Sequence, residues 1–272
     1  LKLTSAYIGG CSLERHWNNI VEAEKSAEFK PYAVDIWDSS KPVSKQSFKG
    51  NVNELLKNNR YDIVTIQQAS PSSWNYETYQ PFAKDLISYI RKHNPNAEIV
   101  VQQTWAYRSD DGRIHPERHS WEFGQQGMHD RLTAAYTRLA KENNFRMIPM
   151  GEAVRLTREL DPVRYAPPTE AEKKALHWPD IPKQAGDVVG KNWWQKDRKS
   201  GEMKLAADTI HLNERGEYLQ ACVWFAYLFD EPTSKIAYDH PQIGKSYSEF
   251  LRNCAQKAVD AARAQSLSLI HI

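Results

Sequence analysis

Two side chains with catalytic reach stand three residues apart late in the chain. They are Asp208 and His211, in the run Asp208-Thr209-Ile210-His211-Leu212-Asn213. A carboxylate just upstream of an imidazole can accept its Nδ1–H bond, fix the tautomer and stabilise the imidazolium, leaving Nε2 to take a proton from a nucleophile. The spacing reads as a short loop ahead of a helix. Asn213 fits an N-cap, and Tyr218, Ala221, Cys222, Phe225 and Leu228 follow it at helical period. The same spacing also fits a capped surface loop in which both side chains only satisfy nearby backbone groups.

Two other constellations compete for the chemistry. His115-Pro-Glu-Arg-His119 places two histidines four apart, and with Asp208 and His211 they could form a hydrolytic zinc site. Pro116 and its polar neighbours argue for a loop instead, where that spacing has no special geometry. Gly9-Gly10-Cys11-Ser12 follows a strand and precedes a helix. Ser12 or Cys11 would there sit at a helix N-terminus, whose dipole lowers a thiol pKa. The alternative for Cys11 is a small buried residue under the turn.

Composition narrows the classes. The 272 residues suffice for a sizeable core, and 36 basic against 34 acidic side chains leave a net charge of +2. There is no basic block to make nucleic acid the default partner, and no apolar run long enough for a membrane span. Nine tryptophans and thirteen tyrosines exceed what a core requires and fit a sugar-binding cleft, although large cores use aromatics too. Cys11, Cys222 and Cys254 are too few and too scattered for a disulfide framework or a zinc knuckle. No cofactor is implied.

The elements that would position these residues alternate. Strands are expected near residues 3–8, 32–37, 61–66, 98–103 and 146–150. Helices are expected at 13–28, from the Asn51 capping box to about 58, and at 77–93, 128–144, 213–229 and 246–264. This alternation predicts a parallel sheet with helices on both faces, in which ligands bind beyond the carboxyl ends of the strands. Gly9–Ser12, Gln67–Ser70 and Thr104–Tyr107 all fall at such ends. Residues 161–207, with Pro167, Pro168, Pro179 and Pro182, read as an irregular excursion near the site, so that residues 1–266 form a single domain. The apolar tail 267–272 reads as a non-native scar from sequencing-adaptor read-through. Together with the opening at Leu1 it reads as a fragment translated from environmental DNA.

Several stretches resemble one poorly characterised family of the SGNH (GDSL-like) hydrolases. They are Tyr7-Ile-Gly-Gly-Cys-Ser-Leu-Glu-Arg-His-Trp17, Tyr61-Asp-Ile-Val-Thr-Ile-Gln-Gln-Ala-Ser70, Gln103-Thr-Trp-Ala-Tyr107, Ile148-Pro-Met-Gly151 and Asp208-Thr-Ile-His-Leu212. The resemblance implies a three-layer α/β/α, flavodoxin-like fold and a serine esterase of an exported bacterial kind, with carbohydrate deacylation as the activity to look for. It makes His211 the base, Asp208 its orienter, Gly10 an oxyanion donor, and Gln67 or Gln68 a replacement for the usual third donor, an asparagine. The nucleophile of such proteins lies in a Gly-Asn-Ser or Gly-Asp-Ser block after the first strand, and neither sequence occurs here. The first strand and helix are therefore expected to precede Leu1, and this chain to be catalytically crippled. Arg15 either binds a substrate carboxylate or solvates its helix, and His16 and Trp17 read as packing residues. Trp105, Tyr107, Trp193 and Trp194 are candidates for contact with a small-molecule or glycan ester. A non-catalytic carbohydrate-binding relative would carry the same aromatics without a productive geometry at His211.

Overall fold

A computed structural model describes residues 1–41, 44–115, 117 and 120–268, with side chains to 265. The chain divides into two compact units, the first made of Leu1–Gln102 with Ala135–Arg146 and the second of Gln103–Ala134 with Met147–Ile272. The observed class is mixed α/β, with one three-stranded antiparallel sheet, a second three-stranded sheet that contains a parallel pair, and a two-stranded antiparallel sheet.

The first unit opens with β1 (Lys2–Tyr7), α1 (Leu13–Lys25), β2 (Tyr32–Asp38) and β3 (Lys45–Gly50). The sheet formed by these strands corrects the expected parallel arrangement. β1 pairs antiparallel with β2, and β2 antiparallel with β3. The intervening α1 therefore does not act as a right-handed crossover between parallel strands. β3 was not expected at all, because Lys45-Gln-Ser-Phe-Lys-Gly50 carries no apolar alternation, and five of its six residues are exposed. Lys45 and Lys49 suit an edge strand.

α2 (Val52–Asn58) starts where expected, with the Asn51 side chain accepting the Glu54 N–H at 2.7 Å. β4 (Ile63–Ile66) then pairs in parallel with β5 (Glu98–Gln102), as the strand–helix–strand reading requires. The helix between them is shorter than expected. α3 covers Phe82–His93 behind Pro81, and Tyr76–Tyr79 ahead of it form a separate 3-10 turn. Proline lacks an N–H and restricts its predecessor, which separates the two segments. Leu13, Ile20, Leu56, Leu86, Ile87, Ile90 and Val100 are buried in this unit.

α4 (Gln125–Asn143) is followed by the short strand β6 (Arg146–Ile148) and by α5 (Met150–Leu160), a helix not anticipated behind Pro149. In the second unit the stretch read as irregular contains α6 (Glu170–Ala175), with a capping box on Thr169, and a hairpin of β7 (Val189–Lys196) with β8 (Met203–Leu212). α7 (Glu214–Phe229) and α8 (Lys245–Ser268) pack on each other and on α5. The buried face of α7 is Tyr218, Leu219, Cys222, Val223, Ala226 and Tyr227. All three cysteines are buried free thiols. No helix of the described residues is long and apolar enough to cross a membrane. Residues 267 and 268 continue α8, and 269–272 lie outside the described residues.

Candidate functional site

Asp208 to His211 is not a free loop. It is a swelling in β8, the second strand of a hairpin. Val189 pairs with Leu212 and Lys191 with Asp208, so β7 places only Gly190 where β8 places Thr209, Ile210 and His211. A bulge of this kind re-aims side chains that strand alternation would send to opposite faces. It lets the His211 ring turn back onto Asp208, with Nδ1 at 2.6 Å from Oδ2. The other carboxylate oxygen accepts the backbone N–H groups of Ile210 at 2.7 Å and His211 at 2.9 Å. Burial raises the Asp208 pKa, but the two backbone donors and the imidazole outweigh it and hold the carboxyl below its ordinary value. The His211 side chain is 71% exposed. With Nδ1 committed to the carboxylate, Nε2 is the nitrogen left for a substrate.

The bulge is tied down from 105–111. The Trp105 indole N–H donates to the Ile210 carbonyl at 2.8 Å, the Arg108 backbone N–H to the Thr209 carbonyl at 2.9 Å, and the Thr209 hydroxyl to Asp111 at 2.7 Å. Arg108 is fully buried, bidentate on Asp110 at 2.6 and 3.0 Å, with its guanidinium 4.7 Å from the Tyr165 ring centroid. Gly190 lies over that guanidinium at φ +80°. A Cβ there would stand 2.5 Å from the Asp208 carbonyl and 3.0 Å from Arg108 Nη1, so the close approach requires glycine.

Asn213 closes the arrangement from the far side. Its side-chain Oδ1 caps α7 by accepting Arg215 N–H and Gly216 N–H at 3.1 and 3.3 Å, and its Nδ2 donates to the carbonyls of Asp187 and Gly190 at 3.1 and 3.0 Å. The cap was legible in the sequence. The supporting roles of Arg108, Asp110 and Asp111 were missed, because a charged Arg-Ser-Asp-Asp-Gly run reads first as a solvated turn.

Of the aromatic candidates in this unit, Trp105 is half-buried and acts on the bulge, while Tyr107 is fully buried, with the Arg113 guanidinium 4.3 Å from its ring centroid. Tyr107 is core, and its position gives a substrate nothing to touch. Trp193 is exposed and stands two residues along β7 from Lys191, the partner of Asp208, so it shares a face with that pair. Trp194 points to the opposite face, where its indole donates to the Asp180 carbonyl at 2.7 Å.

The oxyanion and nucleophile candidates belong to the first unit. Gly10 turns at φ +61° with open space where a Cβ would be, and Ser12 caps α1 by accepting the Arg15 N–H at 3.1 Å. Burial pushes the Cys11 thiol up to about 11, against the reactive thiolate that a helix N-terminus can favour. Gln68 is buried and fully engaged. Its Oε1 accepts Leu13 N at 3.0 Å and Ala69 N at 2.9 Å, while Nε2 donates to Thr78 at 3.0 and 3.2 Å. Gln67 is exposed. Arg15 is exposed, and His16 is pushed down to about 4, by burial first and the Arg15 charge second. Trp17 packs edge-on against Tyr89. His119 of the zinc alternative lies outside the described residues, and among those described no group of three or more His, Cys, Asp or Glu side chains converges as metal ligands.

The chain belongs to the DUF4886 family. The family model, a domain of unknown function, matches residues 2–161, so Asp208 and His211 lie beyond the matched stretch. A crystal structure of a DUF4886 family protein from Bacteroides uniformis ATCC 8492 superposes with a TM-score of 0.71 at 23% identity, over 95% of this chain and 83% of that one. That likeness establishes the shared fold. A putative GDSL-like lipase from Parabacteroides merdae ATCC 43184 aligns at a TM-score of 0.36 and 18% identity, over 60% of this chain and 58% of that one, too distant to carry an argument. No curated protein matches the chain.

Proposed function

We propose that Asp208 and His211 are the orienter and general base of an ester hydrolase of the SGNH type, with acylated carbohydrates as the substrate class. The observation that carries this reading is the 2.6 Å Nδ1–Oδ2 contact, made by a carboxylate already anchored on two backbone N–H groups beneath an exposed ring. In the proposed step Nε2 takes the proton of an attacking hydroxyl as its oxygen bonds to the acyl carbon, then returns it to the departing alcohol. Trp193 is the proposed platform for a sugar ring.

The finer architecture belongs to the same proposal: a three-layer, flavodoxin-like sheet with one more strand between β1 and β4. Each of these is the end strand of its own sheet.

Hydrolysis of p-nitrophenyl acetate tests the assignment. Without a Gly-Asn-Ser or Gly-Asp-Ser block the chain should show slow turnover with no acyl-enzyme burst. His211→Ala should lower the rate at least tenfold, given the ~10²–10⁴ that general bases contribute. An unchanged rate in His211→Ala removes the base role, and a stoichiometric burst mapped to Ser12 or Cys11 relocates the nucleophile.

A further inference from the structure

A cavity lies in the second unit, against α7. It has a volume of about 440 Å³ and is walled by Tyr218, Cys222, Phe225, Ile236, Tyr238 and His240, with Glu214 and Glu217 also lining it. That volume falls within the ordinary range for small-molecule sites.

Three features give it chemical character. The rings of Tyr218, Tyr238 and His240 meet at a corner, with centroids 6.2 to 6.5 Å apart and interplanar angles of 47°, 68° and 82°. The Tyr218 hydroxyl is already committed to the Tyr238 carbonyl at 2.6 Å and to Arg252 at 2.7 Å, so that ring offers its apolar and π surface. Cys222 beneath it stays a neutral thiol, because burial pushes it up to about 11. His240 Nδ1 is buried without a partner among the described residues.

The charge of the lining has one sign. Glu214 and Glu217 occupy the first turn of α7, where carboxylates complement the helix dipole, and that alone would explain them on a plain surface. Here they line a cavity to which no Lys or Arg contributes. Lys191 reaches Glu214 at 3.7 Å from outside it, whereas Glu217, also in the lining, has no ion pair among the described residues. Aromatic faces carry negative potential that attracts cations, and carboxylates add to it.

We propose that this cavity binds a small organic cation, an ammonium group on an apolar body, seated against the aromatic corner with Glu217 as its counter-charge. The site is independent of the Asp208–His211 chemistry, so either proposal can fail alone.

Benzyltrimethylammonium and choline are the probes, titrated into the full 272-residue chain and followed by amide and methyl NMR shifts. Saturable shifts centred on Ile236, Tyr238 and Phe225 are expected. Glu217→Gln should weaken binding at least fivefold and Phe225→Ala at least tenfold, with thermal melts of both variants confirming folding. The neutral isostere of choline, 3,3-dimethylbutan-1-ol, should bind at least fivefold more weakly than choline. Equal binding of that alcohol, tighter binding of a neutral sugar, shifts centred elsewhere, or no saturation by either cation would each overturn the proposal.

Discussion

At the scale of single residues, the state of one imidazole is the quantity that matters most. Asp208 Oδ2 can serve His211 only by accepting a proton-bearing Nδ1, so the neutral ring must be the Nδ1–H tautomer with Nε2 unprotonated. Nitrogen-15 NMR of histidine-labelled protein should show that tautomer at pH 8. Asp208→Asn should abolish the preference while leaving the fold intact, because an amide can still accept the Ile210 and His211 N–H bonds. A dominant Nε2–H form in the unsubstituted protein contradicts the geometry. The thiols give a second test. With Cys11 and Cys222 both pushed to about 11 by burial, iodoacetamide at pH 7.5 should alkylate the native chain far more slowly than free cysteine. Rapid modification of Cys11 would revive it as a nucleophile.

At the scale of elements, the dyad depends on how β7, β8 and α7 meet. Gly216 lies inside α7, where alanine would ordinarily stabilise a helix by about 1 kcal/mol. Here an added Cβ would stand 2.2 Å from the Val188 carbonyl and 2.8 Å from a Leu212 methyl, so the sign reverses and Gly216→Ala should lower the melting temperature. Asn213→Ala removes a helix cap and leaves two carbonyls without their donor. It should cost ~2–4 kcal/mol in denaturant unfolding and loosen the bulge that holds His211. A loss below the usual cap value would mean that the bulge is held from the 105–111 side alone.

These elements also mark what the sequence could reveal. The Asn213 and Asn51 caps act over two or three residues and were read correctly, as was β4 from its β-branched run. β3 and β7 were missed because their stability comes from a partner strand rather than from their own pattern. The direction of β1 relative to β2 was misjudged for a related reason. A helix between two strands reads as a crossover, and only the register Lys2–Asp38 through Tyr7–Ala33 shows that the strands run antiparallel. The dyad's residues were evident, but its geometry was not. The bulge that turns His211 onto Asp208 depends on Gly190, eighteen positions upstream of Asp208 in a stretch that looked irregular.

At the scale of the whole chain, protonation links the two units to one observable, the dependence of stability on pH. In the first unit burial holds His16 at about 4 against an ordinary 6.5, so the unfolded chain binds that proton first. Its contribution is present above pH 6.5 and is lost as pH falls from there toward 4. Glu152, in the second unit, is raised by burial but lowered further by Arg155 and His129, to about 2 against an ordinary 4.5. Its contribution is present above pH 4.5 and is lost as pH falls toward 2. Glu24 reaches a similar value through its bonds to Lys57, Tyr89 and Asn53. Melting temperature should therefore be flat from pH 8 to about 6.5, decline first through the histidine window, then steepen below pH 4.5. His16→Gln should flatten the first decline and leave the second, while Glu152→Gln should reduce the second and leave the first. If both substitutions altered the same window, the two groups would not be titrating as their separate surroundings require.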